Sequence, residues 1–257
     1  MSRGKIYRGK PVVAVFVILI VWATAAFSAE PFKLPQDLGA GSGESFDSAR
    51  FQSAIRSDKS LGALAKENSV FGEQASSYGF AAKSEEAKFF IIGSLYSEAL
   101  AYLKSGNSDL AAKRLEAVEG EFIDLQVPSS LYNYISKTRN ILETRRYPLE
   151  GQAEFLFLFQ PFFEDYAKTK GGDKLTLFRA GSWLMDMSLA AAGGDTALLR
   201  QPGKLDYFIK EMKRLDAPKG VIDALGEIAK VAGKKEISNK DADNVLKQVK
   251  KIQTVLG

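Results

Sequence analysis

The chain contains no cysteine and no histidine. Without cysteine there are no disulfides, no thiol chemistry and no attachment of c-type haem. Without either residue, the common zinc and copper sites and every imidazole-based catalytic triad are excluded. What stays open is carboxylate or lysine chemistry, or no chemistry at all. Convincing β-segments are also scarce. Phe155 to Phe159 alternates only weakly, and the stretches around it, from Glu150 to Glu154 and from Glu164 to Lys168, read as helix.

A net basic charge is missing too, once the N-terminus is considered separately. Arg3, Lys5, Arg8 and Lys10 precede an apolar run from Val12 to Trp22, and small residues follow at Ala23, Thr24, Ala25, Ala26 and Ser28. That order of basic, apolar and small segments predicts a secretory signal peptide over residues 1–29, cleaved after Ala25 or Ser28. The alternative is an uncleaved anchor, for which the run is a little short. The four basic residues are the only charges in that segment, so 35 less four leaves 31 basic residues against 31 acidic ones. The mature chain is therefore neutral, and its composition gives no support to nucleic-acid binding. The expected location is the periplasm or the outside of the cell. Lys234-Lys235, Lys247, Lys250 and Lys251 read as a solvated helix face.

What is present is a repeat. At a constant offset of 88 positions, Phe90 falls on Phe178, Gly93-Ser94 on Gly181-Ser182, Glu98 on Asp186, Gly106 on Gly194, Asn107 on Asp195 and Leu110 on Leu198. After a slip of two residues, Leu115-Glu116 falls on Leu205-Asp206, Glu121 on Glu211, Leu125 on Leu215 and Pro128 on Pro218. Further on only the apolar pattern survives, with Phe155, Phe159 and Phe162 falling on Val245, Val249 and Ile252. The domain plan that follows is a signal peptide (1–29), a Pro/Gly/Ser-rich flexible arm (30–47), an N-terminal helical cap (48–83) and two four-helix units (84–171 and 172–257).

In the first unit, Ser84 caps a helix that runs to about Ser105 and stops at Gly106. Asn107 or Ser108 opens the second helix, Pro128 the third and Pro148 the fourth, with a kink or restart expected at Gln160 before Pro161. The second unit repeats this plan, with helices from about Asp173 to Ala192, Gly203 to Leu215, Pro218 to Ala232 and Ser238 to Leu256. Ser238 and Asp241 are spaced as a variant capping box.

With Gly106 as the turn, Ala99, Tyr102, Ala111 and Leu115 stand where tetratricopeptide hairpins carry their small and aromatic packing residues. One hairpin per unit thus resembles that family. Glu98 and Val118 depart from its pattern, as does Ala190 in the second copy. The resemblance implies helix hairpins stacked into an all-α, solenoid-like array that holds a protein or peptide, with no enzyme chemistry and no cofactor. Separately, Glu44-Ser45-Phe46 resembles the stretch around the catalytic acid of lytic transglycosylases. The Gly-Leu-Met-Gln motif that accompanies it in that family is absent downstream.

Two sets of residues are candidates for a role. Gly93-Ser94 and Gly181-Ser182 lie inside helices, where glycine costs roughly 1 kcal/mol against alanine; a close helix crossing that excludes a Cβ would offset that cost. Ser94 and Glu98, like Ser182 and Asp186, share a helix face and are candidates for a buried or inter-helix hydrogen bond. Phe155, Phe157, Phe159, Phe162, Phe163 and Tyr166 surround much of one helix, which is then expected either at the centre of the fold or as an exposed surface for a partner. The functional expectation is an exported, non-enzymatic helical-repeat protein that binds a protein or peptide in the cell envelope. The alternative is a periplasmic carrier of an apolar small molecule or lipid, with membrane contact only through an uncleaved leader.

Overall fold

A computed structural model describes residues 45–69 and 84–256. The expected signal peptide, the expected arm up to residue 44 with Glu44, and residues 70–83 of the expected cap lie outside the described residues. Among those described, the fold is all helical. The N-terminal helices are α1 (Ser48–Ala54) and α2 (Leu61–Asn68), and α3 (Glu85–Lys104), α4 (Ser108–Asp124), α5 (Ser129–Thr144) and α6 (Leu149–Lys170) form the first unit. The second unit consists of α7 (Gly172–Ala192), α8 (Pro202–Arg214), α9 (Lys219–Ala232) and α10 (Asn239–Leu256). No helix among the described residues is long and apolar enough to cross a membrane.

Local chemistry sets the helix ends. The Ser84 hydroxyl accepts from the Ala87 amide at 3.2 Å, and Glu85 and Glu86 complement the positive end of α3. Its far end closes on Gly106 at φ 76°, with the Asn107 amide donating to Tyr102 O at 2.9 Å. In the second unit, α7 ends the same way on Gly194 at φ 73°, with Asp195 N donating to Ala190 O at 2.9 Å. Both α4 and α8 end on a left-handed residue, Gln126 or Asp216, each at φ 50°. Pro128 or Pro218 follows, and its carbonyl accepts the first bonds of the next helix. The repeat landmarks thus occupy matching turns at offsets of 88 and then 90. The two-residue slip falls between α7 and α8, where Asp195 to Gln201 make a run of tight turns and α8 begins late. Ser238 and Asp241 form the expected reciprocal cap, with Ser238 N donating to the Asp241 carboxylate at 3.0 Å and Asp241 N to Ser238 Oγ at 3.3 Å. Pro161 does not interrupt α6, which is one helix through that position.

The centre of the fold is α3 with α7. Nearly every residue from Phe89 to Leu103 and from Thr176 to Ala191 is buried, as befits helices surrounded on all sides. The two run side by side in the same direction. Glu86 pairs with Lys174 at their N-terminal ends, and Ser97 bonds to Asp186 further along. Their backbones meet at the paired glycines. A Cβ on Gly93 would stand 2.0 Å from Phe178 O, and one on Gly181 would stand 2.0 Å from Phe90 O. Since these are backbone oxygens, no side-chain rotation makes room. The Ser94 hydroxyl reinforces the crossing by donating to Gly181 O at 3.2 Å.

This contact is reciprocal, because each helix offers the same patch to the other, as about a local two-fold axis. A solenoid instead presents unlike faces of successive units to each other. The expected solenoid stack is therefore replaced by a shared central helix pair, each member of which is followed by its own three helices. The reason is the glycines: with no Cβ on either side, the two like faces come closer to each other than a stack of ordinary side chains would allow.

Candidate functional site

The phenylalanines of α6 divide between the two sides of the helix. Phe159 and Phe163 are fully buried and Tyr166 nearly so. Phe163 lies 4.8 Å from Phe178 and 5.4 Å from Phe122 between ring centroids, and Phe159 lies 5.4 Å from Tyr96. These rings fill the space between α6 and the central pair. Phe155 is half-buried against Tyr147, while its carbonyl accepts a 2.6 Å bond from the Tyr134 hydroxyl. Phe157, Leu158 and Phe162 face outward, at 37, 52 and 51% exposure. The expectation that this helix is central gives way to α3 and α7, because α6 buries only Gln152, Leu156, Phe159, Phe163, Tyr166 and Ala167 and leaves Glu154, Pro161 and Asp165 in solvent.

Phe157 also forms the lip of a cleft of about 540 Å³ between the start of α1 and helices α6 and α7. Phe46 and Tyr96 provide apolar wall, and the Arg179–Glu164 ion pair with Lys204 provides charge. The Lys104 ammonium stands 5.9 Å from the centre of the Phe157 ring and donates to Ala49 O and to Ser53 Oγ. Burial pushes Lys104 down to about 8.

Beneath α1 and α2 lie two buried acids, Glu98 on α3 and its counterpart Asp186 on α7. Neither is accessible to solvent. Glu98 takes the Arg114 guanidinium at 2.8 Å and the Tyr102 hydroxyl at 3.0 Å, and Arg114 also lies over the Tyr102 ring. Burial outweighs the guanidinium and pushes the Glu98 carboxyl up. Among the described residues no cation is hydrogen-bonded to Asp186, although the charge of Lys104 acts on it. Its donors are Ser48 Oγ at 2.6 Å, Gln52 Nε2 at 2.7 Å and Ser97 Oγ. Burial pushes its carboxyl up to about 7, against the pull of these three donors.

The expected buried or inter-helix hydrogen bond is present for Ser94, which donates to Gly181 O across the crossing, and Asp186 accepts buried bonds from Ser48, Gln52 and Ser97. Among the described residues no hydrogen bond reaches Ser182 Oγ. Two of the three partners of Asp186 come from α1, part of the segment expected only to cap the repeats, and the third, Ser97, from α3. The available signal was Ser48 and Gln52, two polar residues four apart beside Phe51 and Ala54, all buried on one helix face.

Asp186 is enclosed, and its hydrogen bonds to Ser48 and Gln52 tie α1 to the central helix pair. Among the described residues no three potential metal-ligating acids come together. No protein-family model, curated protein or solved structure matches the chain.

Proposed function

We propose that this is an exported, non-enzymatic helical-repeat protein that binds another protein in the cell envelope through the outer face of α6. The observation that carries the reading is the exposure of three large apolar side chains, Phe157, Leu158 and Phe162, within two turns of one helix. Exposed apolar surface gathered on one element marks interaction sites. The repeat sharpens the point. The positions equivalent to Phe157 and Leu158 on α10 hold Lys247 and Gln248, so neither apolar residue is demanded by the helix packing that the two units share. The matching turns at Gly106 and Gly194, and at Gln126 and Asp216, support descent of both units from one copied module, and the hairpins within them retain a tetratricopeptide-like plan. The export address rests on the basic, apolar and small segments of residues 1–29.

A carrier of an apolar ligand is the weaker reading. The phenylalanines that would line its pocket, Phe159 and Phe163, are packed against Phe122, Tyr96 and Phe178 instead.

The test is affinity capture from an envelope extract with the purified chain and with its Phe157→Ser/Phe162→Ser variant, read by mass spectrometry for proteins and lipids. A protein retained by the parent and lost by the equally folded variant supports the reading. Recovery of lipid alone ends it.

A further inference from the structure

The outer face of α6 carries a charge pattern as well as an apolar one. Glu150 and Glu154 lie on the N-terminal side of Phe157 and Leu158, and Asp165 follows Phe162, all at helical spacing and all exposed. Among the described residues none of these three carboxylates takes part in an ion pair or hydrogen bond. The neighbouring acid Glu164 does, with Arg179 and Gln160. Lys168 lies one turn beyond Asp165, and Lys104 at the lip is already engaged by α1. The equivalent face of α10 has the opposite sign, with Lys240, Lys247 and Lys251 at the positions of Glu150, Phe157 and Pro161. The same place in the repeat thus tolerates lysines, and unit 1 alone surrounds exposed aromatics with free acids.

We propose that this face receives a basic amphipathic helix of a partner protein. The partner's apolar stripe covers Phe157, Leu158 and Phe162, and its lysines or arginines meet Glu150, Glu154 and Asp165. The assignment rests on the docking function proposed above and names the chemistry of the partner. A helix fits because Glu154 to Asp165 spans roughly 16 Å of one helix, about three turns, the length over which apolar anchors at i, i+3 or i+4 and i+7 on a partner helix recur. Basic residues fit because exposed carboxylates on this face steer and select cationic partners. The same carboxylates repel an anionic lipid surface. The lysine-bearing face of α10 in a second copy supplies charge but no apolar stripe, since Val245, Val249 and Ile252 are buried in its own core.

The experiment uses the full chain and two labelled 18-residue peptides, one an amphipathic leucine/lysine helix and the other the same helix with glutamate for lysine, followed by fluorescence anisotropy. The lysine peptide is expected to bind at least about tenfold more tightly at low salt, and that advantage should shrink as salt rises. In Glu150→Lys/Glu154→Lys/Asp165→Lys the preference should invert, and in Phe157→Ser/Phe162→Ser both affinities should fall. Equal affinities, no binding, or a preference unchanged by charge reversal overturns the proposal. So does cosedimentation with phosphatidylglycerol vesicles that is lost in Phe157→Ser/Phe162→Ser, because the occupant is then a membrane. Self-association in sedimentation velocity that Lys247→Glu/Lys251→Glu abolishes assigns the face to a second copy, and also overturns it. If the phenylalanine variant loses the captured envelope protein while the charge reversal retains it, the docking function stands and the basic helix alone is refuted.

Discussion

Helices α3 and α7 occupy equivalent places and bury an acid at the same position, yet the two units satisfy that acid differently. In unit 1, Arg114 on α4 reaches Glu98, so the charge is met within the unit. In unit 2, the position of Arg114 is held by Lys204, which lines the cleft beside Tyr96, and the donors to Asp186 are neutral groups of α1 and α3. A guanidinium offers a planar fork that can grip a carboxylate in a dry site, whereas a lysine offers a single strongly hydrated point. Without a guanidinium, the carboxylate of unit 2 is stabilised by whatever donors pack over it, and two of the three arrive on a seven-residue helix near the start of the described chain. The repeated frame therefore leaves one site closed by its own unit and the other closed by an added segment.

The crossing glycines test what the two units share. Gly93→Ala and Gly181→Ala should each destabilise by about 3 kcal/mol or more in chemical denaturation, because the new methyl meets a backbone oxygen that cannot move aside. The two losses should be equal. A loss under about 1 kcal/mol at either position would contradict the reciprocal crossing.

The acids test what the units do not share. Arg114→Met should cost about 3 kcal/mol, since it leaves Glu98 buried beside no cation. Asp186→Asn should cost far less, because its partners are hydroxyls and an amide that can also accept. Equal losses in the two variants would mean that Asp186 depends on an ionic partner after all.

The same contrast predicts a pH dependence. Asp186 has a folded-state pKa of about 7, well above the usual carboxylate value, so the native protein holds a proton that the unfolded chain releases. Its contribution to stability is therefore fully present below about pH 4, declines as pH rises toward 7 and is flat above that. The decline approaches about 1.4 kcal/mol per pH unit for this one group. Glu121, pushed up to about 7 by burial, and Glu98 act in the same direction. The group's own share is the difference between the parent and Asp186→Asn in urea denaturation from pH 4 to 8. A difference that does not change across that range would sink the assignment.

The smallest expected effect is local. Ser48→Ala/Gln52→Ala should weaken the docking of α1 by about 1–2 kcal/mol with little change in the unfolding of the eight helices α3 to α10. Limited proteolysis should then cut within residues 48–60 several-fold faster than in the parent.

Much of the helical plan was legible in the residues. Ser84, Gly106, Pro128, Pro148 and Pro218 each stand within a residue or two of a helix end, because capping and φ restriction act over one turn. The close approach at Gly93 and Gly181 was legible for a related reason, since glycine inside a buried helix needs an offsetting contact. The face of α6 was not. Seventeen phenylalanines in the chain, five of them on this helix, supply more apolar surface than one helix face can bury, and periodicity alone does not say which rings face the core.

The amino-acid sequence by itself determined the helices, their caps and turns, the repeat that relates them and the small residues at which two of them can touch. These depend on interactions within a few residues of one another. Only the tertiary structure decided that like faces meet about a local two-fold, that Phe157 and Phe162 remain in solvent while Phe159 and Phe163 do not, and that Asp186 is held from Ser48 and Gln52, 138 and 134 positions away. Such partners are selected by which surfaces exclude water together, and that is a property of the assembled helices rather than of any one of them.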